Sequence, residues 1–317
     1  MKSEKILRRL AKPMLLATAI LWGMSFMMMK TSTDSIPPMY LGALRLTGGA
    51  IVVALLFIKR WKKCTFDYIW RGAVIGFVLF LAYAFQLTGV MYTTPSKTGF
   101  LTATYCVMVP FMNWLITKHR PDRYNILASL LCIGGVGLVA LTGSLSIAKG
   151  DILMLVCAVF FGLHIITVGL LGGDQRDPFL MTALQFTFAA IFFWIAGFFT
   201  APFPSADVFT GDMILTILYL AVIATAACHT FQSVGQMYAD PSSAAVLLSL
   251  ESVFGVLFSV LFYGDPMTFR LAIGFIMIFL AVLCSETKFA FLRRKKDASA
   301  IPTSPQPDAP DTDGQAK

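Results

Sequence analysis

Long apolar runs, nearly free of charged residues, dominate this sequence and limit the folds open to it. Hydrophobic residues make up 57% of the 317 residues, and charged residues only 13%. Soluble domains carry about 45–50% apolar and about 25% charged residues. A soluble core of this size would need polar residues on the outer faces of its helices, which most of these runs lack. The runs therefore predict helices that cross a membrane.

Ten such runs are present, and most hold about 18–22 residues, enough to cross a hydrocarbon layer of about 30 Å. Short connectors rich in Pro, Gly, Asp and Ser separate them, and these residues form turns and start helices. A β-barrel is excluded because the runs are too long and do not alternate. The predicted fold class is an all-α polytopic membrane protein with ten transmembrane helices. The predicted spans are 14–31, 38–58, 70–92, 98–117, 125–142, 151–171, 179–199, 213–235, 243–263 and 268–286.

Lys and Arg are distributed unequally between the two sides of these spans. Twenty fall in the N-terminus, the even-numbered connectors and the C-terminal tail. Four fall on the other side, namely Lys30, Lys97, Lys149 and Arg270. The positive-inside rule then predicts a multi-pass protein of the cell (inner) membrane with both termini in the cytoplasm. The net charge of +8 is attributed to this topology, and no nucleic-acid partner is expected.

A twelve-residue pattern occurs twice, as FQLTGVMYTTPS at 85–96 and FQSVGQMYADPS at 231–242, with seven identities. The copies are predicted to end helix three and helix eight. Helix eight lies five helices after helix three, and five is odd, so the copies should lie on opposite sides of the membrane. The pattern therefore predicts two inverted five-helix repeats. Such repeats place a substrate site near the midplane and allow states open to either side.

The repeat divides the chain into four predicted parts. A cytoplasmic N-terminus covers 1–13, the first five-helix repeat 14–142, and the second repeat 151–286. A cytoplasmic tail, basic and then Pro- and Asp-rich, covers 287–317 and is predicted to end in disorder. Two weaker sequence similarities between the halves support the division. Trp22-Gly23 aligns with Phe161-Gly162, and Arg45 aligns with Gln185.

Several short motifs occur along the spans in a fixed order. They are Leu21-Trp22-Gly23 with Phe26 and Lys30, Arg45, Pro110, and LLSLESVFGVLFSVLFYGDPMT at 247–268 with Gly274 beyond it. In this order and spacing, the motifs make the chain resemble the drug/metabolite transporter superfamily, in its ten-helix EamA type, over about 1–290. The resemblance implies a secondary transporter, usually an exporter, of small metabolites such as amino acids. The family often has a Gly-Glu pair at the end of helices four and nine, where this chain has Lys118-His119 and Gly264-Asp265.

Two residues well inside the spans, away from their ends, carry a full charge, and charged groups there are functional candidates. Glu251 is the ninth residue of its predicted span, about 13 Å deep at 1.5 Å per residue. Small residues follow at Gly255 and Ser259, so this face should pack inward. Glu251 is a candidate proton-coupling carboxylate, a partner for a substrate ammonium, or half of a structural ion pair. Arg45 could bind a substrate carboxylate, extend towards the membrane surface or tie helices together.

A polar stripe runs along predicted helix eight, where His229, Gln232 and Gln236 follow at helical spacing. Tyr83 and Gln86 are the repeat equivalents of the first two. Each half therefore presents a ring one turn from a glutamine, and these residues are predicted to line a cavity. The alternative is that the glutamines form hydrogen bonds between helices.

Four further residues complete the predicted set. The two copies of the repeated pattern are 146 residues apart, and Tyr105 aligns with Glu251 at this separation. The two residues could therefore face each other across the symmetry axis. Trp22 and Ser25 would add an aromatic wall and a hydroxyl from helix one. His164 is isolated in helix six and is a weaker candidate for binding or coupling.

The sequence also lacks the motifs of several other functions. No GxxxxGK[ST] motif is present for ATP, and no HExxH, GxSxG, CxxC or acidic metal cluster occurs. The chain is therefore predicted to be a secondary transporter working by alternating access, with no cofactor and no metal. Its expected partners are a small-molecule substrate, the lipid bilayer and, as a candidate coupling ion, the proton; monomer and homodimer both stay open. The alternatives are a lipid-linked carrier flippase, an intramembrane enzyme using His229 and Glu251, and a channel.

Overall fold

A computed structural model describes residues 2–140, 149–173, 176–239, 241–263 and 269–287, and leaves some side chains of the fifth and tenth helices undescribed. The chain is an all-helical polytopic membrane protein. Nearly all of the predicted tail and the Gly264-Asp265 pair lie outside the described residues.

Ten long helices lie where the ten spans are predicted. Eight of them, all but α5 and α10, are long and apolar enough within their described residues to cross a membrane. Helix α1 begins well before residue 14 and continues through Pro13. The helices are α1 (Lys2–Thr33), α2 (Pro38–Leu56), α3 (Phe66–Val90), α4 (Pro95–Thr117), α5 (Arg123–Ala140), α6 (Lys149–Gly172), α7 (Pro178–Thr200), α8 (Gly211–Gln236), α9 (Pro241–Phe262) and α10 (Phe269–Thr287).

The helix starts follow from the turn residues that the connectors contain. Proline occupies the first position of four helices, where its fixed φ suits a helix and its missing N–H is not needed. Thr94 accepts a hydrogen bond from the Lys97 amide at the start of α4, and Asp177 accepts one from the Phe179 amide at the start of α7. These caps satisfy backbone donors that the first turn would otherwise leave free. The prolines are Pro38, Pro95, Pro178 and Pro241.

The two halves pack by one scheme that is unchanged when α1–α5 are exchanged with α6–α10. Helix α3 packs along α6 as α8 packs along α1, and α3 contacts α7 as α8 contacts α2. Helix α4 contacts α6 as α9 contacts α1. The pairs α2–α7, α4–α9 and α5–α10 are equivalent to themselves under this exchange. The molecule therefore has an internal two-fold pseudo-symmetry, and its core lies between the halves.

The directions of the helices show that the repeats are inverted. Helices α3 and α7 run parallel, whereas α7 and α8 run antiparallel. Helices α3 and α8 are therefore antiparallel, and the repeated pattern ends them at opposite faces of the protein. The contacts that fix these directions are Gly72 with Leu184 and Gly76 with Phe188 for the parallel pair, and Thr182 with Ser233 and Phe186 with His229 for the antiparallel pair.

The repeated glycine of the pattern allows a close helix contact in each half. A Cβ atom on Gly89 would lie 2.4 Å from Cε of Met154 in α6. A Cβ atom on Gly235 would lie 2.7 Å from Cγ of Leu15 in α1 and 3.1 Å from the Ala11 carbonyl oxygen. Small residues let helices approach closely where no water drives them together. The identity at this point of the repeat is therefore explained by packing.

Replacing Gly235 by valine should destabilise the protein, because the added atoms meet Leu15 and the Ala11 backbone. Overpacking of this kind costs about 1–3 kcal/mol. Thermal unfolding of the purified protein in detergent measures the loss. Gly137→Val in α5 is the matched control, since no atom lies within 4 Å of a Cβ at Gly137. Equal melting temperatures for the two variants would contradict the packing role.

Candidate functional site

A narrow cavity of about 380 Å³, including its mouth, lies between the two halves of the protein. Seven helices contribute to its wall, four from the first half and three from the second. Eight of the ten predicted residues line it, whereas His229 and His164 do not. The lining residues are Trp22, Ser25, Phe26, Met29, Arg45, Tyr83, Gln86, Thr102, Tyr105, Phe161, Ile165, Gln232 and Glu251.

Two of the helices that line the cavity are locally irregular at equivalent depths. The regular hydrogen-bond pattern of α4 lapses at Thr104 and that of α9 at Ser249, while the backbone at both residues stays right-handed helical. Each of these hydroxyls donates to a carbonyl oxygen three residues earlier, at 2.6 Å and 2.7 Å. Tyr105 directly follows the first irregularity, and Glu251 comes two residues after the second. These irregularities therefore lie beside two residues of the cavity wall.

A second irregularity in α4 comes from Pro110. Proline has no N–H, so the Cys106 carbonyl oxygen in the preceding turn receives no helical hydrogen bond. The Ser129 hydroxyl of α5 donates to that oxygen instead, at 3.4 Å. At this point α4 is therefore hydrogen-bonded to α5 rather than to its own backbone.

The Arg45 guanidinium lies in the cavity wall with only 1% of its surface exposed. Its Nε donates to Thr225 Oγ1 at 3.0 Å, Nη1 to Met29 Sδ at 3.3 Å and Nη2 to the Tyr83 hydroxyl at 3.2 Å. All three acceptors are uncharged, and sulfur is a weak one. Among the residues that the structure describes, no carboxylate pairs with Arg45.

A directed chain of hydrogen bonds runs from Arg45 to Gln232. The Tyr83 hydroxyl lies 2.8 Å from His229 Nε2, and His229 Nδ1 lies 2.9 Å from Gln232 Oε1. A guanidinium only donates and an amide oxygen only accepts. A neutral His229 with its proton on Nδ1 completes the chain, because Tyr83 then accepts from Arg45 and donates to Nε2 while Nδ1 donates to Gln232 Oε1. With both nitrogens engaged and its ring fully buried, His229 supports the cavity wall from behind.

The Glu251 carboxylate lies on another wall of the same cavity and is 4% exposed. It interacts with Tyr105, whose hydroxyl has no well-aligned hydrogen bond to a described residue. Gly255, one turn later, packs against Phe26 of α1, so this face of α9 points inward as predicted. No cation of the described part of the chain pairs with Glu251. Arg45 and Glu251 thus share a cavity without forming an ion pair.

Equivalent aromatic rings form part of the wall in each half. The Trp22 ring meets His229 at a centroid distance of 4.9 Å, and the Phe161 ring meets Tyr83 at 5.2 Å. The indole N–H of Trp22 donates to the Ala224 carbonyl oxygen at 2.7 Å. That carbonyl belongs to a π-helical stretch of α8, where the usual backbone pairing is altered. Trp22 and Phe161, which align in the sequence, therefore occupy equivalent positions in the two halves.

Five lining residues fall outside the predicted set. Two have a signal that could have identified them, because they lie four and seven residues after Trp22 on one face of α1. A third, Phe161, is the repeat equivalent of Trp22. A fourth, Thr102, lies three residues before Tyr105 on the same face of α4, and the fifth, Ile165, carries no pattern that distinguishes it from an ordinary packing residue. The five are Phe26, Met29, Thr102, Phe161 and Ile165.

The two other histidines lie away from the central cavity. His164 is fully buried, and its Nε2 lies 2.8 Å from Gln185 Oε1. Gln185 is the repeat equivalent of Arg45, yet it lines a different cavity. His119 is exposed in the connector after α4. Gln185 and Arg45 thus align in the sequence but line different cavities.

Comparison with known proteins gives concordant matches over nearly the whole chain. The EamA-like transporter family model matches residues 10–141 and again residues 148–287. An uncharacterized transporter of Archaeoglobus fulgidus is 34% identical over 281 residues, 89% of this chain and 87% of that protein. The uncharacterized transporter YvbV of Bacillus subtilis is 25% identical over 278 residues, 85% of this chain and 89% of that protein. A known crystal structure shares the fold, with a TM-score of 0.71, 17% identity, and coverage of 88% of this chain and 98% of that chain.

Replacing Tyr83 by phenylalanine should lower stability, because it removes the hydroxyl that joins Arg45 to His229. Leaving a buried donor and a buried acceptor without a partner costs about 1–3 kcal/mol. The melting temperature of the purified protein measures the effect. Tyr92→Phe is the matched control, since Tyr92 is 49% exposed at the end of α3. If both variants melt at the same temperature, the hydrogen-bond chain does not hold the site together.

Proposed function

The chain belongs to the EamA-like transporter family, and we propose that this membrane transporter moves a small zwitterionic metabolite, such as an amino acid, by alternating access. One observation carries the proposal. The central cavity contains one buried guanidinium and one buried carboxylate, and neither is ion-paired within the described part of the protein.

A zwitterion supplies the counter-charge for both groups at once. Arg45 has five N–H donors, and its three protein acceptors leave donors free for a carboxylate, which a guanidinium binds in a two-pronged geometry. Glu251 would accept hydrogen bonds from the substrate ammonium. Unpaired buried charges are costly, and the desolvation penalty is several kcal/mol per ion in proteins. A substrate with only one charge would leave either Arg45 or Glu251 without compensation.

The remaining wall of the cavity favours a small substrate with an apolar side chain. Trp22, Phe26 and Phe161 present aromatic surface, whereas Gln86 and Gln232 present amides that can orient polar groups. Binding sites of this type are mostly apolar with a few placed polar groups. The narrow cavity between the two halves favours a small metabolite.

The placement of the two charges supports alternating access. Arg45 belongs to the first repeat and Glu251 to the second, so a bound zwitterion would bridge the halves that must move. At one face, ion pairs also join the halves, between Arg60 and Asp177 and between Arg176 and Asp67. Opening that face would break these pairs. By the positive-inside rule this face is cytoplasmic.

The structure offers less support for the other functions considered. A lipid-linked phosphate would meet the Glu251 carboxylate in the same cavity as Arg45, and the two negative charges would repel. An enzyme using His229 and Glu251 would need His229 exposed to the substrate. Its ring nitrogens are both engaged, and it lies behind the cavity wall.

Transport of phenylalanine should depend on both of its charged groups. In liposomes containing the purified protein, radiolabelled phenylalanine loaded on one side should drive counterflow. Phenylalanine amide lacks the carboxylate, and N-acetylphenylalanine lacks the ammonium. Each should compete at least about tenfold less well, which corresponds to about 1.4 kcal/mol. Equal competition by either analogue, or turnover of a lipid-linked substrate with no amino-acid flux, would reject the proposal.

The Glu251→Gln variant tests the ammonium contact by itself. It should weaken phenylalanine binding by about tenfold or more, because a neutral amide replaces a charged partner. Binding of N-acetylphenylalanine, which has no ammonium, should change little. Asp207→Asn, at an exposed acidic residue between α7 and α8, is the control. Equal losses for both ligands would show that Glu251 acts on the fold rather than on the ammonium.

A further inference from the structure

A second cavity of about 430 Å³, including its mouth, lies between α3, α6, α7 and α8. Among the residues that the structure describes, none that lines it is charged. Its polar groups come from Gln185, Ser233 and Gln236. The Gln236 side chain is 6% exposed, and its Oε1 has no hydrogen-bond partner among the described residues. A cavity with free acceptors and no charge suits water rather than a zwitterion.

A single layer of side chains separates this second cavity from the central one. Ile165 lines the central cavity, and its carbonyl oxygen accepts a hydrogen bond of 2.9 Å from Gln236, which lines the second. His164 and His229 lie in this layer with their ring centroids 5.7 Å apart and their planes perpendicular. The proposed substrate site uses neither ring as a direct ligand.

The hydrogen bonds distinguish the two histidines. His229 has a partner at each ring nitrogen. His164 Nε2 must donate to Gln185 Oε1, because an amide oxygen only accepts. The second nitrogen of His164, Nδ1, is buried and has no partner within the described residues. In the neutral ring this nitrogen carries a free lone pair, so His164 has a place for one more proton.

We propose that His164, which Gln185 joins to the second cavity, is a proton-binding site that couples substrate transport to proton movement. The inference rests on the proposed transport of a zwitterion through the central cavity. One proton from water adds to the lone pair of Nδ1 and gives an imidazolium, while the Nε2–H stays on Gln185. The same proton leaves Nδ1 after the halves have changed position, so no other bond is made or broken.

The charges around the two histidines set the sign of the coupling. Arg45 from α2 acts on His229 through Tyr83 of α3, and Glu251 from α9 has no cationic partner within the described residues. His164 lies one ring beyond His229, so a positive charge there is unfavourable while Arg45 is uncompensated, and a substrate carboxylate on Arg45 removes that repulsion. Proton and substrate should therefore bind cooperatively, and each must strengthen the binding of the other equally. Arg45 (α2) and Tyr83 (α3) are the ionisable groups that act on His229, and Cys157 (α6), Cys228 (α8) and Glu251 (α9) act on Tyr83, while α7 contributes the neutral Gln185.

Calorimetry of phenylalanine binding in two buffers of different ionisation enthalpy tests the site on the full-length protein. The number of protons taken up per substrate follows from the difference between the buffers. The wild type should take up protons, and its affinity should rise as the pH falls. His164→Gln keeps a donor for Gln185 but has no basic nitrogen, so it should bind phenylalanine with neither proton uptake nor this pH dependence. His119→Gln, in the exposed connector, should behave as wild type.

Gln185→Glu provides a second test that does not depend on the stability of His164→Gln. A carboxylate beside Nε2 should hold the imidazolium, so proton uptake should disappear at neutral pH and return only at higher pH. Wild-type binding without proton uptake would overturn the inference. So would proton uptake that survives in His164→Gln but vanishes in Glu251→Gln, since the proton would then belong to Glu251. Absence of phenylalanine binding by the wild type would instead overturn the proposed function.

Discussion

The buried Arg45 guanidinium is held between the two halves of the protein by uncharged groups alone. Thr225 of α8 and Tyr83 of α3 accept its hydrogen bonds, and Tyr83 in turn depends on His229. A full charge in this position is stable only where its surroundings are fixed and a counter-charge can approach. Close glycine contacts, the local irregularities of α4 and α9 and the π-helical stretch of α8 place these partners around one cavity.

The architecture is symmetric, but the charges within it are not. Inverted repeats give both halves the same packing, so two states open to opposite faces can have similar energies. Under the proposed function, selectivity would arise where the repeats differ. Arg45 corresponds to Gln185, Glu251 to Tyr105, and His229 to Tyr83. The first half thus contributes the positive charge and the second half the negative one, and a zwitterion would connect them.

Periodicity and duplication revealed much of this from the sequence. The ten helices, the inversion and the inward face of α9 follow from run lengths, an odd helix count and small residues after Glu251. The depth at which each side chain lies in the cavity wall does not follow from the sequence. His229 and Gln232 share a helix face, yet Trp22 and Tyr83 cover the first and leave the second open. Such depth is set by long-range packing, and no local spacing records which ring lies in front.

An experimental structure with a bound amino acid tests the account most directly. The account predicts density for the ligand in the central cavity, with its carboxylate oxygens within hydrogen-bond distance of the Arg45 guanidinium. The ammonium should lie within the same distance of the Glu251 carboxylate, with the side chain against Trp22 and Phe161. A ligand bound elsewhere, or bound here with its carboxylate away from Arg45, would contradict the claim that the unpaired charges select a zwitterion.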